Sequence, residues 1–252
     1  MGAKLVSVTL LLEVGNTAWK LGIYQVADQP KSLGRGQGFS ALEALLLTLD
    51  FDSVAVASVA ASEFTEALQQ FALQHNKHVF VAETETGFDL THCYANPSTY
   101  GVDRWLTLLV ARAEQTNAMI IDAGTAVTLD VIDHEGHHLG GWISPGFRLM
   151  QESLIQRSSK LRVTDKAPEE ALGTSTEHAV YLGCQAALRG FVEQALQRSE
   201  DVFGEQGFTC YLTGGDHDHI SAELFNRFNC RVERRPDLVL EGLARWFEQR
   251  PV

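Results

Sequence analysis

Positive charge is in short supply. Lysine and arginine total 20 against 32 aspartates and glutamates, a formal charge of -12 at neutral pH, and no basic cluster relieves the deficit. Nucleic acids and anionic membrane surfaces are held through such clusters, so neither is expected as a partner. Cysteine is scarce as well: Cys93, Cys184, Cys210 and Cys230 stand far apart, with no C-x-x-C pair and no nearby histidine at zinc spacing. Free thiols in a reducing cytoplasm are the expectation. No apolar stretch approaches the roughly 20 residues that cross a bilayer. The apolar run over residues 5–12 follows Lys4 and imitates a signal peptide, but no small-residue cleavage site follows it and Glu13 and Lys20 come soon after. It reads as a buried first strand.

Apolar residues make up 45% and charged residues 21% of the 252, which is enough for a sizeable core. That length favours two modest domains, set here at 1–116 and 117–252, with the last helix free to pack back on the first. A phosphate-bearing ligand is repelled by the overall charge. Any site for one must therefore supply backbone N–H groups, a lysine or arginine, and a bound cation.

The chain opens with a strand over 5–13, a turn at Gly15-Asn16-Thr17, and a returning strand over 19–24. A glycine-rich loop over 34–38 precedes a helix over 41–49, a β-branched strand over 53–58, a helix over 62–75 opened by a Ser62 cap, and a strand over 78–81. Asn96-Pro97-Ser98 breaks the chain before an apolar helix over 102–114. A second set follows: a strand over 118–122, a turn at Gly124-Thr125, a return over 127–132, and a third strand over 138–143 ending at Ser144-Pro145-Gly146. A helix to about Arg157, a patternless loop over 158–170, a long helix over 177–198, a strand over 209–213 and a helix over 238–248 complete the reading.

The two halves share one design: apolar strand, acid-x-Gly, threonine, returning strand. Glu13 and Asp122 hold equivalent places, so a duplicated unit is expected, with one acidic turn from each copy facing a central cleft. Glycine lets N–H groups approach a phosphate, a threonine offers a hydroxyl, and the acid can hold a cation. Each turn by itself is also what an ordinary hairpin looks like.

Four further segments carry chemistry. In Tyr94-Ala-Asn-Pro-Ser-Thr-Tyr-Gly-Val-Asp-Arg104, Asp103 and Arg104 fall in a first helical turn, where a carboxylate also serves the helix dipole. An acid beside an arginine combines a proton acceptor with a carboxylate clamp. Gly140-Gly141-Trp142-Ile143-Ser144-Pro145-Gly146 permits close backbone approach, with Trp142 expected in the core. Gly173-Thr174-Ser175-Thr176 must at least cap the long helix. Thr213-Gly214-Gly215-Asp216 ends a strand and is read as opening a helix, a place where a nucleoside can lie against bare backbone. His134, His137, His138, His217 and His219 invite a zinc reading, but most lie in polar turns and lack the helical i, i+4 pairing.

Taken in order, acid-x-Gly-Asn-Thr, Tyr-x-Asn-Pro-x-x-x-Gly-x-Asp-Arg, Asp-Ala-Gly-Thr, Gly-Gly-x-Ile-x-Pro-Gly, Leu-Gly-x-x-Thr and Thr-Gly-Gly-Asp resemble the type III pantothenate kinases across nearly the whole chain. The resemblance implies an α/β, actin-like ATPase (ribonuclease-H-like) fold in two related domains, a homodimer, and ATP-dependent phosphorylation of pantothenate to 4′-phosphopantothenate, the first step of coenzyme A synthesis. It implies Mg²⁺ with ATP and a monovalent cation, K⁺ or NH₄⁺. By motif, Asp103 corresponds to the general base, and Tyr94, Gly101, Val102, Asp103, Arg104 and Thr176 to the pantothenate site. Glu13, Val14, Gly15, Asn16, Thr17, Ala18, Trp19 and Lys20 correspond to the first phosphate loop, Thr125 to a phosphate contact, and Gly214 with Gly215 to the nucleoside border. Asp122 corresponds to the monovalent-cation ligand and Glu13 to a Mg²⁺ ligand, directly or through water.

The resemblance has one departure: the family's first motif begins with aspartate where this chain has Glu13, whose extra methylene moves the carboxylate by about 1.5 Å. That substitution keeps open an alternative, a catalytically silent homologue acting as an accessory or regulatory binding protein. A sugar or acetate kinase, or an exopolyphosphatase, of the same architecture is a third reading. The 94–104 segment matches the pantothenate branch instead.

Overall fold

The structure is a computed structural model and describes residues 8–24, 29–156, 162, 164 and 166–250. It comprises two compact units, one of residues 1–114 with 237–252 and the other of 115–236. The start of the expected first strand and most of the expected loop over 158–170 lie outside the described residues.

In the first unit, β1 (Thr9–Val14) runs antiparallel to β2 (Trp19–Ile23), which pairs with β3 (Lys31–Gly36). On its other side β1 lies parallel to β4 (Ser53–Ser58), and β4 to β5 (His78–Val81), giving the order β3-β2-β1-β4-β5. A central strand covered on both faces must be apolar throughout. Accordingly Leu10, Leu11, Leu12 and Val14 are all buried. One face packs on α1 (Phe39–Leu46) and α2 (Ser62–Gln74) through Leu42, Leu46, Leu68 and Phe71. Against β1 and β4 also lies α6 (Leu238–Glu248), itself packed along α3 (Val102–Ala113).

The second unit repeats the plan. Its strands β6 (Ala118–Ala123), β7 (Ala126–Ile132) and β8 (His138–Pro145) form an antiparallel meander, and β9 (Phe208–Thr213) and β10 (Cys230–Arg234) extend it in parallel on the other side of β6. The core lies between this sheet and α4 (Phe147–Gln156) and α5 (Thr176–Phe203). Even the register irregularity recurs, at Leu21/Gly22 between β2 and β3 and at Val131/Ile132 between β7 and β8. The common strand order, with a register irregularity between the corresponding pair of strands in each unit, supports the duplicated-unit reading.

Four local expectations are corrected, and one strand is added. The glycine-rich loop over 34–38 is mostly strand: a Cβ on Gly36 would stand 2.5 Å from the Trp19 ring and one on Gly34 3.1 Å from Leu45, so these glycines admit neighbours rather than turn the chain. The added strand is β10, an edge whose Cys-Arg-Val-Glu-Arg is short and charged, as exposed edges are, and so carries no strand pattern. Ser62 is the first residue of α2, with Ala61 at the cap position and no side-chain cap bond. The Thr213–Asp216 segment leads into a three-residue 3-10 turn, His217–His219, and not an α-helix. Trp142 is 38% exposed because β8 is an edge strand, and its ring meets Phe191 edge-on.

Candidate active site

The first acidic turn is held by its own backbone. Gly15 N–H donates to the Ala18 carbonyl (2.9 Å), closing a tight tip on which Asn16 and Thr17 are exposed. Val14 and Trp19 are core side chains; Trp19 Nε1 donates to the Gly38 carbonyl (2.9 Å). Any ligand contact at those two positions must come from main chain. Glu13 faces Lys20 across the β1–β2 pair. Its pKa is raised, first by burial, then by the charges of Asp103 and Asp237, with Lys20 and Arg35 opposing. Carboxylates gathered beside a lysine and an arginine are hard oxygen donors of the type Mg²⁺ takes.

Asp103 stands in the first turn of α3. Its Oδ1 accepts the Arg104 N–H (2.8 Å) and occupies the space a Cβ on Gly101 would need, 2.7 Å away. Gly101 has an ordinary φ of -58°, so the demand for glycine here is for room and not for conformation. Arg104 is buried: Nη1 donates to the Tyr94 hydroxyl (3.3 Å), and the guanidinium lies 4.7 Å from the Tyr100 ring centre. The rings of Tyr94 and Tyr100 are 4.8 Å apart. Asn96, through its side chain, caps the 3-10 turn Pro97–Thr99 that delivers this loop to α3. Val102 is buried at the helix start.

In the second unit the turn after β6 is equally constrained. Gly124 N–H donates to the Ala126 carbonyl (3.0 Å), Gly146 N–H to the Thr125 carbonyl (2.9 Å), and Asp216 N–H to the Ala123 carbonyl (2.8 Å). A Cβ on Gly146 would fall 2.0 Å from the Gly124 carbonyl oxygen. Gly214 has φ of +90°, and a Cβ there would sit 2.3 Å from the Ala123 carbonyl oxygen and 2.4 Å from Asp122 Oδ1. Asp122 is thus laid against bare backbone, a carboxylate and carbonyl set suited to a hard cation. Thr125 and Gly215 are exposed. Arg148 at the start of α4 reaches Asp216 (3.5 Å), a residue the motif reading left without a role. At the start of α5 it is Ser175 that caps, accepting the His178 N–H (3.2 Å), so the exposed Thr176 hydroxyl is not needed for the cap.

The structure therefore gathers Glu13, Lys20 and Asp103 in the first unit, and Asp122, Thr125 and Gly214 in the second. Asp237 joins the first group unannounced: Pro236-Asp237 before an apolar run reads as a helix start and nothing more. Among the described residues, the metal-capable side chains that converge are Asp133, Glu135 and His137 on the exposed β7–β8 turn, none of them in either group.

A family model described as type III pantothenate kinase matches residues 9–198. The type III pantothenate kinase of Pseudomonas putida KT2440 is 34% identical over 250 residues, 93% of this chain and 97% of the relative. That of Pseudoalteromonas atlantica is 34% identical over 220 residues, 84% and 87%. Among solved structures, a Campylobacter jejuni protein assigned to the Baf family is similar with a TM-score of 0.61 at 20% identity, covering 95% and 98% of the two chains. The Lmo2764 protein of Listeria monocytogenes, assigned as an N-acetylmannosamine kinase, has a TM-score of 0.52 at 10% identity, covering 96% and 99%. The fold is the actin-like ATPase fold. The chain belongs to the type III pantothenate kinase family.

Proposed function

We propose that this protein transfers the γ-phosphoryl group of ATP to the hydroxyl of pantothenate, releasing ADP and 4′-phosphopantothenate. The hydroxyl proton passes to the Asp103 carboxylate as the new P–O bond forms and the bond to the β-phosphate oxygen breaks. The observation that carries this is Asp103 itself, folded over Gly101 at the start of α3 beside a buried arginine. In this reading Tyr94, Gly101, Val102 and Arg104 shape the pantothenate site. Arg104, packed on Tyr100, meets the substrate's anionic end in this proposal, and the exposed Thr176 offers it a hydroxyl.

The segment Glu13 to Lys20, through main chain alone at Val14 and Trp19, with Thr125 and the bare backbone of Gly214 and Gly215, takes the nucleotide. Glu13 holds Mg²⁺ directly or through water, and Asp122 holds K⁺ or NH₄⁺. Bound cations supply the charge neutralisation that phosphoryl transfer needs and that this acidic chain otherwise withholds. A homodimer is supported by the exposed apolar side chains of β8 and α4, Leu139, Trp142, Ile143, Leu149 and Leu154. Among the described residues no helix is long and apolar enough to cross a membrane, and free thiols at Cys184, Cys210 and Cys230 suit a reducing cytoplasm.

Coupled ADP release with ATP, Mg²⁺ and pantothenate, with and without K⁺, tests the assignment. The expected result is pantothenate-dependent ADP that falls about 10²- to 10⁴-fold in Asp103→Asn with pantothenate binding retained. Absence of pantothenate-dependent ADP under every condition would overturn it.

A further inference from the structure

The last helix brings a carboxylate to the first phosphate loop from the far end of the chain. Asp237 occupies the N-cap position of α6, yet its side chain makes no capping hydrogen bond. Its contribution to the helix is through main chain, its carbonyl accepting the Glu241 N–H (2.9 Å). The carboxylate instead meets Lys20, its Oδ1 lying 3.3 Å from Nζ. Both side chains keep about a quarter of their surface open, 24% and 26%, so the pair borders solvent. Lys20 is in turn the cross-strand partner of Glu13, on which Asp237 and Asp103 both act electrostatically.

Packing holds Asp237 in that place. A Cβ on Gly242 would stand 2.1 Å from the Leu106 carbonyl oxygen, so α6 and α3 approach to main-chain contact. A Cβ on Gly22 would stand 3.0 Å from Leu240 Cδ1, so β2 packs tightly against a side chain of α6. Leu238, Leu240, Leu243 and Trp246 are buried, and Trp246 Nε1 donates to Glu85 (3.0 Å). The element carrying Asp237 is thus fixed against the strand carrying Lys20 and the helix carrying Asp103. A lysine side chain has many rotamers to lose on meeting a ligand, and a carboxylate on a rigid neighbour restricts them beforehand.

We infer that Asp237 is a positioning residue, holding the Lys20 ammonium at the first loop in the orientation from which it meets the nucleotide's phosphates. An ammonium has three donors, so one stays on Asp237 while the others turn to phosphate oxygens. The inference rests on the phosphate role proposed for Lys20, and it adds the C-terminal helix to the nucleotide site.

Binding of Mg-ATP without pantothenate, measured by calorimetry on the full chain, separates this role from catalysis. In Asp237→Asn the Kd for Mg-ATP rises about three- to fivefold, the range for a partly exposed ion pair, while KM for pantothenate and the melting temperature hold steady. Asp237→Glu recovers most of the loss. In a Lys20→Met background, Asp237→Asn adds nothing, because the group it positions is gone. Unchanged affinity in Asp237→Asn overturns the inference, and so does a loss that persists undiminished beside Lys20→Met. If the unaltered protein binds Mg-ATP but releases no pantothenate-dependent ADP, the substrate assignment fails while the Asp237 comparison still decides. No Mg-ATP binding by the unaltered protein overturns both.

Discussion

Glu13 is where stability and chemistry pull apart. Burial, with Asp103 and Asp237 nearby, raises its carboxyl pKa above that of the unfolded chain despite Lys20 and Arg35. The native state therefore holds this proton more tightly than the unfolded state. Below the unfolded value both states are protonated and the residue is neutral in its effect. As pH climbs past that value the unfolded chain ionises first, so stability falls with rising pH through the window between the two pKa values and stays lowered above it. Glu13→Gln, without metal or nucleotide, should melt a few degrees higher than the unaltered protein at pH 7, and the two should converge near pH 4. A Gln variant that melts lower at pH 7 would mean the ionised carboxylate is already well matched by its neighbours. The acid's identity and its place at a strand end were legible in the sequence. Its crowding was not, because Asp237 lies more than two hundred residues away along the chain and only the docking of α6 brings it near.

At the scale of elements, the second loop depends on glycines that serve different ends. Gly146 is required for space, since its Cβ would overlap the Gly124 carbonyl, whereas Gly214 is required for both space and its positive φ. Gly183 and Gly190 in α5 have nothing near a Cβ. Gly214→Ala should therefore cost about 2 kcal/mol or more and weaken Mg-ATP binding, while Gly183→Ala, at an exposed helical position, should gain about 0.4–1 kcal/mol and leave binding unchanged. Denaturant melts and nucleotide titration on the pair check this; equal effects would mean that glycine at Gly214 is a matter of backbone entropy only. The same distinction explains what could be read in advance. Strands over 53–58 and 78–81 and the helix over 238–248 show in apolar and β-branched patterning, and their bounds agree with β4, β5 and α6. Gly34 and Gly36 misled because a glycine that admits a tryptophan ring and a glycine that turns a loop are the same letter. Only the tertiary neighbour tells them apart.

For the molecule as a whole, the net charge of -12 sets the terms on which two anions arrive. The basic groups proposed to meet them are few and local: Lys20, for ATP, already shares its charge with Asp237, and Arg104, for pantothenate, is buried among tyrosines. At long range the field is repulsive, and it weakens as the Debye length shrinks to about 10 Å near 0.1 M salt. An inert salt should therefore speed encounter, whereas an ion that occupies a site should change the chemistry. Raising tetramethylammonium chloride from about 10 to 100 mM should increase kcat/KM for ATP about two- to fivefold with kcat nearly constant. Replacing it with KCl at the same ionic strength should raise kcat further, and Asp122→Asn should abolish that second increment while keeping the first. If kcat/KM falls with inert salt instead, attraction by local basic groups outweighs the acidic field. If KCl and tetramethylammonium chloride act alike, Asp122 holds no monovalent cation, and its carboxylate serves the turn against Gly214 alone.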